Sequence, residues 1–169
     1  MKKFLVIFGL IVAMSVSANN FAYSTDLEKY QIISEIGTLV NSGNYLQALD
    51  KCNEAIKKYP QEAELYYWSG VIRSKSGDNK AAMIDYNKAI ELKPEDSTLY
   101  VMRGISRSDL GDRKGAAEDF DYALKLNPKD GSAYSMRACL KLENGDLTGA
   151  NSDLDMANKI FDESVNEEK

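Results

Sequence analysis

Residues 65–94 read LYYWSGVIRSKSGDNKAAMIDYNKAIELKP, and a close copy, LYVMRGISRSDLGDRKGAAEDFDYALKLNP, follows at residues 99–128. A third copy, AYSMRACLKLENGDLTGANSDLDMANKI, occupies residues 133–160. A weaker copy comes first, and four of its residues stand 34 positions ahead of their counterparts: Gly43, Ala48, Ala55 and Pro60. A fixed period of this length predicts a stack of small units, because no single unit can bury its own apolar face.

Each unit has the apolar spacing of two helices separated by a Gly-Asp or Gly-Asn pair. In the second unit, apolar residues recur at threes and fours over about residues 65–76 and 81–92, which predicts two amphipathic helices. The glycine permits the backbone conformation that ends the first helix, and the Asp or Asn can cap the second. The pairs are Gly43-Asn44, Gly77-Asp78, Gly111-Asp112 and Gly145-Asp146. We therefore predict an all-α fold of four helical hairpins.

Eight recurrent residues are predicted to be structural. Small side chains let two helices approach closely, and a proline ends one unit before the next begins. The residues are Gly70 and Gly104 on the first helices, Ala82, Ala89, Ala116 and Ala123 on the second helices, and Pro94 and Pro128 after them.

On these residues the chain resembles the tetratricopeptide repeat family, whose repeating pattern has small residues, aromatics and a proline at fixed places. The corresponding units are residues 29–62, 63–96, 97–130 and 131–164, and the middle two meet the pattern almost fully. In the first unit, Ile36 and Cys52 stand where the family has a small residue and an aromatic one. The resemblance implies a right-handed superhelix with a concave groove, and an adaptor that binds another protein or peptide without catalysis.

The ends of the chain are set apart from the repeats. Two lysines precede an apolar run at residues 4–16 that small residues follow, so residues 1–18 are predicted to be a signal peptide and residues 19–25 a short linker. The run is shorter than the about 20 residues of a membrane-spanning helix, although an uncleaved anchor remains open. The repeat domain is predicted at residues 26–161, with a frayed acidic tail at residues 162–169. We expect an exported protein, periplasmic or secreted, with no membrane insertion after cleavage.

Composition argues against several classes of function. The formal net charge is −5 and no basic cluster occurs, which speaks against nucleic-acid binding. The chain has no histidine, phosphate-binding glycine loop or paired-cysteine spacing, so we predict no catalytic residue, metal site or cofactor. Cys52 and Cys139 fall in the first and last units, too far apart for a disulfide, and Cys52 is predicted to be buried.

The resemblance also indicates where a partner would bind, because in the family the first helix of each unit lines the groove. The matching places form a largely apolar track suited to an amphipathic helix or an extended apolar peptide. The predicted groove residues are Ile33, Tyr67, Trp68, Val101, Met102, Met136 and Cys139. Some relatives grip a C-terminal carboxylate with basic residues at these places, but none stands there in this chain. Two alternatives stay open: neighbouring first helices cover the track, or the groove or an end helix packs against a second copy to form a homo-oligomer.

Two arginines on the first helices are predicted to form structural ion pairs rather than an anion site. Arg103 and Arg137 are each followed 16 positions later by an aspartate, Asp119 and Asp153, and each is preceded by one at 18 positions, Asp85 and Asp119. This spacing places every arginine beside an acidic residue on an adjoining second helix.

Overall fold

The structure, a computed structural model, describes residues 26–167, and every regular element within that range is an α-helix. The predicted signal peptide and linker lie outside the described residues. The helices are α1 (residues 26–41), α2 (Tyr45–Lys58), α3 (Ala63–Lys75), α4 (Asn79–Leu92), α5 (Ser97–Asp109), α6 (Arg113–Leu126), α7 (Gly131–Glu143) and α8 (Leu147–Glu167).

The helices pair into hairpins that stack in chain order. Within hairpins, α3 packs on α4, α5 on α6 and α7 on α8; between hairpins, α2 packs on α3, α4 on α5 and α6 on α7. The first helices α3, α5 and α7 also contact one another in succession, whereas α4, α6 and α8 do not contact one another. The closer spacing of the first helices puts them on the inner side of a curved array. The predicted all-α superhelix of four hairpins is confirmed.

The turn inside each hairpin follows the predicted chemistry. Gly43, Gly77, Gly111 and Gly145 all have positive φ, between 75° and 84°. Glycine takes up this left-handed conformation without the steric cost that a side chain would add. The following aspartates cap the second helices: they accept hydrogen bonds from the main-chain N–H three residues on, at 2.9–3.0 Å. The expected cap by Asn44 was wrong, because its side chain makes no such bond.

Close helix contacts occur at the recurrent small residues. Ala82, Ala89, Ala116 and Ala123 are completely buried on the second helices. A Cβ added to Gly104 would lie 2.7 Å from the ring of Phe120, so the aromatic ring uses the space that the glycine leaves. In the first unit the large residue is on the first helix and the small one on the second. Ile36 and Cys52 are both fully buried in the same core cluster. This exchange accounts for the unit's departure from the family pattern.

The end of α8 differs from expectation. Residues 162–167 were expected to fray, but α8 runs to Glu167. Phe161 rests against the start of α7, where a Cβ on Gly131 would lie 2.8 Å from its ring. Lys159 and Glu163 form an i,i+4 pair at 3.9 Å, which adds some support to an exposed helix.

Candidate functional site: the concave face

The seven residues predicted to line the groove lie on the first helices, but their exposure differs. Ile33 and Val101 are buried, with relative exposures of 6% and 4%, and belong to the core. Four residues are half-buried, and only the last of the track is exposed. The half-buried residues are Tyr67, Trp68, Met102 and Met136, and the exposed one is Cys139.

Neighbouring first helices explain this gradation. The indole of Trp68 on α3 lies against Gly37 on α1, where an added Cβ would be 3.3 Å from the ring. Two units further on, the places of Gly37 and Trp68 are held by Ile105 and Met136. Both of these side chains pack against the same core cluster. Cys139 has the place of Gly37 in the last described unit, and no later first helix covers it. Adjacent helices thus cover the track in part and leave apolar atoms reachable from the concave side.

Two aromatic side chains stand together in the middle of this surface. The rings of Tyr67 and Trp68 meet edge to face, with their centroids 5.3 Å apart. The indole N–H of Trp68 is buried and has no hydrogen-bond partner among the described residues. Packing alone therefore holds this side chain in position.

Beside Tyr67 a cleft of about 170 Å³ opens between α3 and α5. Its walls come from both helices and from the turn between α4 and α5. The lining residues are Ala63, Glu64, Tyr67, Lys93, Asp96, Thr98 and Leu99. Burial raises the pKa of the Tyr67 hydroxyl, and the nearby carboxylates of Asp96 and Glu64 raise it further. Sequence reasoning found Tyr67 but missed Lys93 and Asp96, because the inter-unit turn was treated only as a boundary.

The arginines beside the groove are engaged in ion pairs. Arg103 donates to Asp119 at 2.6 and 2.9 Å and to Asn87 at 2.7 Å. The predicted pair with the later aspartate is therefore confirmed. The predicted pairing with the earlier aspartate was wrong, because Asp85 faces its own hairpin, where it accepts a hydrogen bond from Ser69 at 2.7 Å.

Arg137 repeats this arrangement one unit further along. It donates to Asp153 at 2.7 and 2.8 Å, and to Asp121 on the preceding second helix at 2.7 Å. Because their guanidinium groups are occupied in this way, the two arginines serve to join helices.

The acidic and sulfur-bearing side chains do not gather into a metal site within the described range. Over residues 26–167, no group of three or more His, Cys, Asp or Glu side chains is arranged to hold a metal ion. In the same part of the chain, no helix combines the length and the apolar character needed to cross a membrane.

Comparison with protein families gives two matches. Two family models, both described as tetratricopeptide repeat, match residues 63–96 and residues 101–158. These ranges contain the second unit and most of the third and fourth.

Among curated proteins, the chain is similar to the probable biofilm formation methyltransferase WspC of Pseudomonas putida. The two are 32% identical over 53 residues, which is 31% of this chain and 12% of WspC. The chain thus matches only a small part of that protein's length.

Several solved structures share the fold. A crystal structure of MamA superposes with a TM-score of 0.72 at 17% identity, covering 82% of this chain and 81% of MamA. The Thermus thermophilus protein TTC0263 gives a TM-score of 0.73 at 20% identity, over 79% of this chain and 75% of that protein. The first repeat domain of Spaghetti (RPAP3), bound to the HSP90 peptide SRMEEVD, gives 0.66 at 19% identity, over 69% of this chain and 93% of that domain.

Proposed function

Because this chain belongs to the tetratricopeptide repeat family, we propose that it is a non-catalytic adaptor that holds an apolar helix or extended peptide of a partner protein on its concave face. The observation that carries this proposal is the row formed by Trp68, Met102 and Met136, which hold the same place on three successive first helices and are half-buried. Tyr67 and Cys139 extend the row, and none of these side chains bears a charge at neutral pH in its usual form.

The character of the row favours an apolar partner. Methionine side chains are flexible and polarisable, so they adapt to different apolar surfaces, and aromatic side chains supply large contact areas at low entropic cost. Partial burial by neighbouring helices holds the row in place before a partner arrives, which lowers the cost of ordering it on binding.

One structural neighbour supports peptide binding by this fold. The Spaghetti domain is bound to a short peptide, SRMEEVD, that contains two glutamates and a terminal aspartate. In this chain the corresponding groove offers apolar side chains, and Arg103 and Arg137 are already paired. We therefore propose that this groove selects apolar rather than acidic segments.

Selection from a random peptide library followed by binding measurements tests the proposal. The concave variants are Met102→Glu and Met136→Glu, with the double variant Met102→Ala/Met136→Ala as the milder change. Ile84→Glu is the matched control, because Ile84 is 66% exposed on a second helix. We expect selected peptides to be apolar and to bind the concave variants at least about tenfold more weakly, while the control binds normally. Binding that survives the concave changes in folded variants would refute a groove-bound partner.

Self-association through the same face is the alternative. It predicts a dimer in light scattering whose Trp68 fluorescence is shielded from a soluble quencher. The adaptor proposal predicts a monomer at micromolar concentration, in which peptide binding changes Trp68 fluorescence.

We also propose that the protein acts outside the cytoplasm, in the cell envelope or beyond it. This proposal is supported by the order of charged, apolar and small residues over residues 1–18. Cell fractionation with amino-terminal sequencing tests it: the exported protein should begin at Asn19, whereas an unprocessed cytoplasmic chain would contradict the proposal.

A further inference from the structure

The last second helix exposes an apolar position that every earlier unit buries. Leu154 on α8 holds the place of Cys52, Tyr86 and Phe120, which are at most 2% exposed, yet Leu154 is 36% exposed. The difference arises because no further first helix lies against α8 in the described structure. Residues at spacings of three and four along the helix form one stripe, in which four apolar side chains alternate with or follow two asparagines. This end-face stripe consists of Leu147, Asn151, Leu154, Asn158, Phe161 and Val165.

Two polar contacts fix how each of the two second helices α4 and α6 receives the next first helix. Near its carboxyl end, Asn87 on α4 and Asp121 on α6 each accept a hydrogen bond from the arginine of the following helix, both at 2.7 Å. Near its start, Asn79 on α4 donates to Asp109 of α5 at 3.0 Å, and Arg113 on α6 pairs with Glu143 of α7 at 3.5 Å. On α5 and α7 the arginine therefore precedes the acidic residue by six positions, whereas α3 has Ser69 and Lys75 at these two places.

On α8 the first of these two places keeps a hydrogen-bond acceptor, whereas the second carries an apolar side chain. Asp155 on α8 holds the place of Asn87 and Asp121; it is exposed and makes no ion pair within residues 26–167. Leu147 holds the place of Asn79 and Arg113 and is 64% exposed. An incoming helix with an arginine at the place of Arg103 and Arg137 would therefore meet the carboxylate of Asp155. Six positions later, where α5 and α7 carry an acidic residue, it would meet the apolar side chain of Leu147.

We infer that the end-face stripe is a docking site for an amphipathic helix of a partner protein that carries an arginine followed six positions later by an apolar residue. The arginine would bind the carboxylate of Asp155, and the later apolar residue would pack on Leu147. The apolar face of the helix would cover Leu154 and Phe161. Asn151 and Asn158 supply polar groups within the contact, which limits nonspecific association.

A second copy stacked head to tail does not fit this site. In such a stack α1 would lie on α8, and the place of Arg103 and Arg137 on α1 is held by Glu35. Glu35 would then oppose Asp155, and two like charges in contact repel. The outer face of α1 is also polar where inner first helices are apolar: Gln31 is exposed at the place of the buried Leu65 and Leu99.

The probe for a binding test is a synthetic peptide of residues 130–144 with Glu143→Leu, labelled with fluorescein. A hydrocarbon staple between positions 135 and 139 keeps it helical, because so short a helix is marginal in water. Two matched peptides are compared with this probe: one keeps Glu143, and the other carries Arg137→Glu. Binding is followed by fluorescence anisotropy on the full chain, and by amide chemical shifts that locate the contact.

We expect the Glu143→Leu peptide to bind at α8, more tightly than the peptide that keeps Glu143. Asp155→Lys should weaken binding about fivefold, the factor that a partly exposed ion pair supplies, and Arg137→Glu in the peptide should restore binding to that variant. Asp50→Lys, the same exchange at an exposed position of α2, should leave binding unchanged. Leu147→Asp should weaken binding as well.

Three results would overturn the proposal. The first is no binding of the Glu143→Leu peptide up to about 1 mM, the range of the weakest specific contacts. The second is binding that neither Asp155→Lys nor Leu147→Asp alters. The third is a dimer of the chain that Leu147→Asp dissociates, because a second copy would then occupy the stripe.

Discussion

Gly70 lies directly under the ring of Tyr86, where an added Cβ would come within 2.5 Å of Cε1. The two residues divide one space between the helices of the second hairpin, and the other units divide the same space differently. The pairs are Ile36 with Cys52, Gly104 with Phe120 and Ala138 with Leu154. A large residue on one helix is matched by a small one on the other, so the pair and not either position alone determines how the hairpin packs.

This relationship predicts that Gly70→Ala destabilises the fold despite the better helix propensity of alanine. The added methyl group would have to displace a fully buried ring, and such overpacking costs about 1–3 kcal/mol of unfolding free energy, more than the about 1 kcal/mol gained in helix propensity. Urea unfolding followed by circular dichroism measures the change.

The double variant Gly70→Ala/Tyr86→Leu is the control, since it reproduces the pair found in the fourth unit. It should be more stable than the sum of its single changes by about 1 kcal/mol or more, which is the sign of direct coupling. Additive effects would show that the two positions do not share the space.

Two buried serines provide a second prediction. Ser69 and Ser106 are at most 1% exposed on first helices, but only Ser69 has a hydrogen-bond partner, Asp85 at 2.7 Å. The hydroxyl of Ser106 meets no partner among the described residues. Removing an unsatisfied hydroxyl relieves its desolvation cost, so Ser106→Ala should raise the unfolding free energy by about 1 kcal/mol. Ser69→Ala should lower it by about 1–3 kcal/mol, because it leaves a buried carboxylate short of a donor. Equal effects in urea unfolding would contradict this interpretation.

The fold was predictable from the sequence because each unit carries its own signals. Helix spacing, the Gly-Asp turn and the small residues repeat in register, and neighbours along the chain become neighbours in space. The partner of Arg103 in its own hairpin, Asp119, was found for the same reason. Its other partner, Asn87, was missed because it depends on the rotation between two units, which a one-dimensional period does not contain.

Exposure of the candidate groove was harder to predict for a related reason. Ile33 and Val101 belong to the apolar track in the sequence, but the structure buries them in the core. How far one first helix overlaps the next decides which of two adjacent apolar residues faces the concave side. The apolar part of the end-face stripe was not predicted, because Leu154 falls at the place of Tyr86 and Phe120, which the earlier units bury.

The buried aspartates of the second and fourth hairpins have different partners and therefore different pKa shifts. Burial raises the pKa of Asp153, but hydrogen bonds from Arg137 and Lys141 outweigh that effect and leave it below its ordinary value of 3.8. Burial also raises the pKa of Asp85, and there its partners do not compensate. Asp153 accordingly stabilises the fold at pH values above 3.8, and this contribution disappears as the pH falls through its lowered pKa. For Asp85 the sign is opposite, because stability decreases as the pH rises through its raised pKa.

Replacement of each aspartate by asparagine should therefore have unequal effects. At neutral pH, Asp153→Asn should lower the unfolding free energy by about 2–4 kcal/mol, since it leaves two cations without their buried partner, and Asp85→Asn should cost about 1 kcal/mol or less. Urea unfolding at neutral pH and at about pH 3 measures both variants, and the loss in Asp153→Asn should shrink at the lower pH. A loss that does not change with pH would show that packing rather than charge determines the effect.

The two thiols should react at very different rates in the folded protein. Burial raises the pKa of Cys52 to about 12, and the carboxylate of Asp85 adds to the shift. The thiol also donates a hydrogen bond to the main-chain oxygen of Leu65 at 2.9 Å. The thiolate is the reactive form, so Cys52 should remain unmodified at neutral pH as long as the chain is folded, whereas the exposed Cys139 should react at once. Labelling with a maleimide and counting modified thiols by mass spectrometry should give one fast modification, with the second appearing only in denaturant. Cys139→Ser is the matched control and should abolish the fast modification; rapid modification that persists in this variant would mean that Cys52 is accessible and the first unit is open.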